Sequence, residues 1–337
     1  MPKDIVHWLV ADRTADKLHG TPWAAHLAER RHLLRVAAVF HDALYYLRGE
    51  WPAAIRPLSD RLHGSKGQDT FEILRLQLGH IRSGTHGGTP PSDAVAALAG
   101  LASHIFADAQ VHPMVFYYTG RYGDPDPWKR TKAIQRHRAL ETVMDVSAAG
   151  GLNGVTRYSL QDMVSAAGLK DTAGLIRAFP LEGLARVALR DAVAGQDLAR
   201  AYASAFKTYV FMQGLYRLET LSRSLESIRP ILPNGVQELV ALFYAPQLLP
   251  ETERFTSPLG YRHPVIGRQE SFVLQDAIEA AAETTAQLCR TLTPAVFGQA
   301  ADPIAVAGGG PSLLAGLPGK GEDDMRYFSS RTLPQNY

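Results

Sequence analysis

The stretch His104-Ile-Phe-Ala-Asp108-Ala-Gln-Val-His112 sets an imidazole, a carboxylate and a second imidazole four residues apart. Each step of four turns about 40° around an α-helix, so the three groups line one face of a helix read over Ser92 to Tyr118. His137 and Glu141 repeat the step inside a second helical run, Trp128 to Ala149. Zinc takes imidazole nitrogen and carboxylate oxygen at roughly 2.0 to 2.2 Å, and a carboxylate can bridge two ions through its two oxygens. Five such groups on neighbouring helices are therefore a candidate metal cluster, although one histidine alone on a helix is more often a packing or surface residue.

Outward from these helices the pattern stays helical. From Trp23 to Leu47, Leu27, Leu33, Leu34, Ala37, Ala38, Phe40, His41 and Leu44 follow a 3.6-residue period. Further runs are Ala53 to His63, Asp69 to Ile81, Leu160 to Ala167, Asp197 to Ile228, Val236 to Phe243 and Ser271 to Leu292. Breakers fall at 84–91, 120–127, 150–154, 230–235 and 246–267, which read as loops. Strand-like alternation is scarce, so the expected fold class is all-α. The expected organisation is a metal-binding helical core over 1–150, a helical continuation of the same domain over 151–297, and an irregular Gly/Pro-rich tail over 298–337 packed on the helical body.

Of the 337 residues, 46% are hydrophobic, enough for a substantial core. Lys and Arg number 35 against 33 acids, so net charge gives no reason to expect stable nucleic-acid binding. The lone Cys289 excludes an intramolecular disulfide and reads as a packing residue. The sequence shows no secretory signal pattern and no run of about 18 uncharged apolar residues, so a cytoplasmic location is expected. Neither a serine-hydrolase elbow nor a phosphate-binding P-loop is present, and Gly319-Lys320-Gly321 lacks the other residues of the latter.

Taken with His7, Phe40-His41-Asp42-Ala43-Leu44-Tyr45-Tyr46, Leu62-His63-Gly64 and His112-Pro113, these motifs resemble the zinc-dependent phospholipase C family. Its relatives include trinuclear zinc nucleases and the amino-terminal domain of glycosylphosphatidylinositol-specific phospholipase D. The resemblance spans most of the first 145 residues, with a weaker echo at Tyr261-Arg262-His263-Pro264 and Ser271-Phe272. It implies a multi-helix domain with a metal-binding cleft holding two or three Zn2+ ions. By the same resemblance Asp42, His63, His104 and Asp108 hold one ion, and His112, His137 and Glu141 a second. His7 with a bridging Asp108 would hold a third. Two departures stand out: the chain starts Met1-Pro2 where secreted members expose a chelating Trp, and only four residues separate Asp108 from His112, against six in those members. Loss of Met1 would offer the Pro2 amine as a substitute ligand.

The implied activity is zinc-dependent phosphodiester hydrolysis, with a phospholipid as the leading substrate, a metal-held hydroxide as nucleophile and Asp42 as the catalytic residue that orients or deprotonates it. A zinc nuclease, and a metal-cluster protein of this fold with redirected or no phosphodiesterase chemistry, are the alternatives. Tyr45, Tyr46, Phe116, Tyr117, Tyr118, Tyr122 and Trp128 read either as core or as the frame of a cleft mouth. Lys129, Arg130, Lys132, Arg136 and Arg138 read as a solvated helix face or as a site of transient membrane-surface contact. Of the remaining histidines, namely His19, His26, His32, His41, His80, His86 and His263, only His41 adjoins a candidate ligand and could support it. Oligomeric state has no signature in these residues.

Overall fold

A computed structural model describes residues 3–298, 306, 308–335 and 337, so the Pro2 amine lies outside the described residues. The chain is all-α: helices dominate, and among the described residues the strand is confined to one antiparallel hairpin, Leu259–Arg262 with Gln269–Phe272. At the centre lies the Ser92–Thr119 helix, buried over most of its length and packed against the helices Asp4–Lys17, Arg31–Ala37, Glu72–Ser83, Pro127–Ala148 and Leu274–Phe297. It is long and apolar enough to cross a membrane by length and composition, yet 83% of its most apolar window is buried inside the protein, as befits a core helix.

Two local features fix the central helix to its neighbours. Gly100 faces the Arg31–Ala37 helix so closely that a Cβ would lie 2.4 Å from the Leu34 carbonyl oxygen. That approach brings His104, one turn on, to the carbonyl of Ala38. Further along, Pro113 removes the amide that would bond to the Ala109 carbonyl. Gly316 of the carboxy-terminal segment, at φ +67°, packs where a Cβ would meet that oxygen at 2.6 Å.

Several expected boundaries are corrected. The run Trp23 to Leu47 is three helices, Trp23–Glu29, Arg31–Ala37 and Phe40–Ala43, followed by a 3-10 turn. It breaks at Arg30 and Val39, and the break leaves the Ala38 carbonyl free to accept from His104. The run Asp197 to Ile228 divides into Gly195–Tyr216 and Glu219–Ile228, where the Tyr216 carbonyl turns to accept from the Tyr244 amide. Ala53 to His63 is helical only over Leu58–Leu62. Helices at Asp4–Lys17, Thr172–Ala178 and Leu181–Val187 were not read from the sequence. Nor was the hairpin, whose first strand lies in the expected loop 246–267 and whose second takes the start of the expected helix Ser271 to Leu292, so that this helix begins at Leu274.

Candidate metal centre

All eight candidate ligands are at least 97% buried, and they converge. His7 comes from the amino-terminal helix, Asp42 from the Phe40–Ala43 turn and His63 from the residue capping Leu58–Leu62. His104, Asp108 and His112 come from the central helix, and His137 and Glu141 from Pro127–Ala148. Three groups have donor atoms within 4.8 Å of one another, the first two sharing His104: His7, Asp42 and His104; His63, His104 and Asp108; and His112, His137 and Glu141.

The separations bear on whether ions fit. Donors about 2.1 Å from a tetrahedral ion sit roughly 3.4 Å apart, beyond an ordinary charge-assisted hydrogen bond. His7 Nε2 is 3.4 Å from Asp108 Oδ1, and His104 Nε2 is 3.3 Å from Asp108 Oδ2. His63 Nε2 lies 3.4 Å from His104 Nε2, and His112 Nε2 lies 3.4 Å from Glu141 Oε1. Two contacts are shorter, His63 to Asp42 at 3.1 Å and His137 to Glu141 at 2.9 Å. Neither oxygen of the fully buried Asp108 accepts a hydrogen bond among the described residues, and both ring nitrogens of His7 also lack one. Leaving such a carboxylate uncompensated costs several kcal/mol, on the order of what a cation would recover. The donor set therefore fits divalent zinc, and the two oxygens of Asp108 face different imidazoles as a bridging carboxylate requires.

Backbone carbonyls orient the rings. His104 Nδ1 reaches the Ala38 carbonyl at 2.8 Å, and His63 Nδ1 reaches the Ser59 carbonyl at 2.6 Å. His112 Nδ1 bonds the carbonyl of Leu313, whose own amide donates to the His63 carbonyl at 3.0 Å. With Nδ1 so engaged, Nε2 is left to a metal. The carboxy-terminal segment thus ties two ligands together, a role that backbone atoms perform with no mark in the sequence. His41, fully buried, stacks on His104 at 4.3 Å, and His7 stacks on its other face at 4.2 Å.

Burial pushes His7, His41, His112 and His137 well below the ordinary histidine range, keeping them neutral. Burial also works against a charge on His104, but the carboxylates of Asp108 and Asp42 outweigh it and raise its pKa. Burial drives Glu141 well above the usual carboxylate range, with the neighbouring Asp108 and Asp42 charges adding to it.

A cavity of about 620 Å³ opens over the cluster, with Asp42, His63, His137 and Glu141 in its wall. Of the aromatic set, Tyr45, Tyr46, Phe116 and Tyr122 line this cavity. Tyr118 instead donates to the Gly260 carbonyl of the hairpin, Tyr117 packs beside it, and Trp128 lies out on the surface. Of the basic set only Arg138 reaches the cavity.

The model for zinc-dependent phospholipase C matches residues 6–179, more than half of the 337-residue chain and a span that includes every candidate ligand. The chain belongs to the zinc-dependent phospholipase C family. Searches of curated proteins and of solved structures return no match. Family membership makes zinc the expected metal and hydrolysis the expected reaction class, while the donor geometry supplies the place.

Proposed function

We propose that this family member is a phosphodiester hydrolase of the phospholipase C type, acting on a phospholipid at the cavity over the eight-ligand cluster. The observation that carries the reading is Asp108, a fully buried carboxylate whose two oxygens face different imidazoles, His7 and His104, and accept no hydrogen bond among the described residues. Asp42, His63, His104 and Asp108 would hold one ion, His112, His137 and Glu141 a second, and His7 with Asp108 a third. Zinc bound there supplies Lewis-acid polarisation of phosphoryl oxygens and brings the pKa of water towards 7.

The chain's own groups do the rest. Asp42 is one of two carboxylates of the cluster that face the cavity, 3.1 Å from His63 Nε2 and 4.0 Å from His7 Nε2. That position suits it to orient the attacking water and take its proton. Arg48, Lys66 and Arg138 around the cavity offset phosphate charge, and Leu239, Leu242 and Leu314 give it an apolar side for a lipid.

The test is turnover of a phosphocholine ester against single-stranded DNA by zinc-loaded protein whose metal content is measured by elemental analysis. Asp42→Asn should keep the fold and lose about 10²-fold to 10⁴-fold in kcat. Near-normal turnover of the variant removes Asp42 from the mechanism. Full zinc loading with no hydrolysis of any phosphodiester overturns the reading, and preferential cleavage of DNA replaces the lipid with a nucleic acid.

A further inference from the structure

The connection between the helices Glu219–Ile228 and Asn234–Val240 reads Ile228-Arg229-Pro230-Ile231-Leu232-Pro233-Asn234-Gly235-Val236. Ile228, Ile231 and Val236 are all exposed, and Ile231, at 83%, is the most exposed large apolar side chain among the described residues. A floppy loop could bury such residues by collapsing, but this one is braced. Arg229 is buried, pairs with Glu226 at 2.9 Å and stacks on the Tyr337 ring at 3.8 Å. Tyr337 in turn donates to Glu226 at 2.8 Å, and Gln237 caps the Leu232 carbonyl at 2.7 Å. Pro230 and Pro233 fix two φ angles within nine residues. The apolar tip is therefore held out by design of its neighbours, and a rigid exposed apolar group marks an interaction surface.

Two observations select the occupant. First, the tip is continuous with the cavity: one turn beyond Val236, Leu239 and then Leu242 form part of the cavity wall. An acyl chain drawn from a surface at the tip would meet Leu239 and Leu242 where the cavity wall begins. Second, the flank is cationic. The Pro127–Ala148 helix runs alongside, with Arg138 donating to the Glu238 carbonyl at 3.0 Å and Arg136 to the Tyr337 carbonyl at 3.0 Å. Lys132 lies on the same side, near enough for Arg229 and Arg136 to act on its charge, and Trp128, 60% exposed, sits one turn earlier. Tryptophan and basic side chains around an apolar tip match the headgroup layer of an anionic bilayer.

We infer that the 228–236 tip, flanked by Trp128 and the basic face of the Pro127–Ala148 helix, is a membrane-docking surface that inserts shallowly into an anionic phospholipid bilayer and aligns the cavity with its lipid. The inference rests on the phospholipid reading of the cavity. The full zinc-loaded chain is tested by co-sedimentation with phosphatidylcholine vesicles, with and without phosphatidylserine. Ile231→Asp and the double variant with Val236→Asp replace exposed side chains only, so thermal unfolding should match the unaltered protein.

The expected result is vesicle binding by the unaltered chain that strengthens with phosphatidylserine and weakens with salt, and at least about tenfold weaker partitioning for Ile231→Asp. Turnover of a monomeric short-chain phospholipid should be unchanged in both variants, while turnover of vesicle lipid falls about tenfold. Equal vesicle binding by Ile231→Asp and the unaltered chain overturns the inference. So does an unaltered chain that ignores vesicles and elutes as a dimer which Ile231→Asp splits, since the occupant is then a second copy. Failure to hydrolyse the short-chain lipid while vesicle binding still depends on Ile231 counts against the catalytic reading and leaves the docking surface standing.

Discussion

Two buried polar regions border the same cavity and solve the same electrostatic problem in opposite ways. Around Lys3, Asp4 and Asp145 the chain supplies its own partners. Asp145 accepts from the Ile5 amide at 3.0 Å, the Val6 amide at 2.9 Å and the Tyr244 hydroxyl at 2.8 Å. Lys3 donates to the Leu242 carbonyl and lies 3.5 Å above the Tyr244 ring, and Tyr209 donates to Asp4, whose other oxygen is the exception left without a bond among the described residues. A few residues along the same two helices, His7 and Glu141, together with Asp108 of the central helix, face further donors and acceptors at distances suited to an ion between them. Apart from Asp4 Oδ2, the first region is satisfied as a protein network; the second leaves both oxygens of Asp108 and both ring nitrogens of His7 without a hydrogen bond among the described residues. Adjacent positions on one helix, Asp4 and His7, thus belong to different kinds of structure, which burial alone does not reveal.

The sharpest way to break this contrast is to remove the metal. Zinc sites of this kind contribute on the order of 10 kcal/mol to folding. In a chain of this size, stripping the ions with a chelator should lower the melting temperature by on the order of 10 to 15 °C, reversibly on adding zinc. Asp108→Asn should abolish most of the zinc-dependent gain yet leave the metal-free protein about as stable as the unaltered chain, because it alters a buried carboxylate whose oxygens accept no hydrogen bond among the described residues. Differential scanning calorimetry with and without zinc reads both effects. A metal-free Asp108→Asn that melts well below the metal-free parent would make the cluster an ordinary hydrogen-bonded network, like its neighbour.

A smaller effect sharpens the comparison through protons. Burial holds Glu141 protonated well above the usual carboxylate range, whereas His7, His112 and His137 are already neutral. Loading zinc should therefore release protons, with Glu141 and the raised His104 as sources. The sign is fixed: affinity falls as pH falls, because protons and zinc compete for the same lone pairs. Titration with zinc in buffers of differing ionisation enthalpy measures the release, and Glu141→Gln should reduce it by about one proton. Zinc uptake with no proton release would mean that the cluster is already charged and paired by other means.

The sequence made some of this plain for physical reasons. Side chains repeating at the helical step must share a face, so His104, Asp108, His112, His137 and Glu141 announced both their helices and their convergence. His7, Asp42 and His63 have no such spacing and were placed only by family likeness. What stayed hidden was backbone work. The Ala38 and Leu313 carbonyls that aim His104 and His112 carry no residue signature, and the expected helix through Trp23 to Leu47 would have consumed the Ala38 oxygen internally. The Asp4–Lys17 helix was missed because its first half is buried on nearly every side, Asp4 and His7 together with Ile5, Val6, Trp8 and Val10, so no single apolar stripe gave it away. Lys3 and Asp145 were overlooked because a lone charged residue at an element's end reads as surface until its surroundings are known.

The self-complete region makes the finest prediction. Burial, with the Asp4 charge adding to it, pushes Asp145 up from 3.8 to about 7, and burial brings Lys3 down from 10.5 to about 8. A carboxyl raised on folding lends stability that is fully present below its unfolded pKa and is lost as pH climbs through about 7. A lysine lowered on folding lends stability present above its unfolded pKa and lost as pH falls through about 8. The metal-free protein should accordingly show a shallow stability minimum between about 7 and 8, where both groups are charged and only their mutual attraction offsets the loss of water. Asp145→Asn should cost about 1 to 3 kcal/mol at pH 5, since its amide would face the Ile5 or Val6 donor, and should erase the acid-side slope. Lys3→Met should erase the alkaline one. Urea midpoints across this range read both slopes. A minimum that survives both in Asp145→Asn and in the double variant with Asp4→Asn, which removes a second carboxyl raised by burial, assigns the slope to the metal ligands, and the two regions would then be one coupled electrostatic unit.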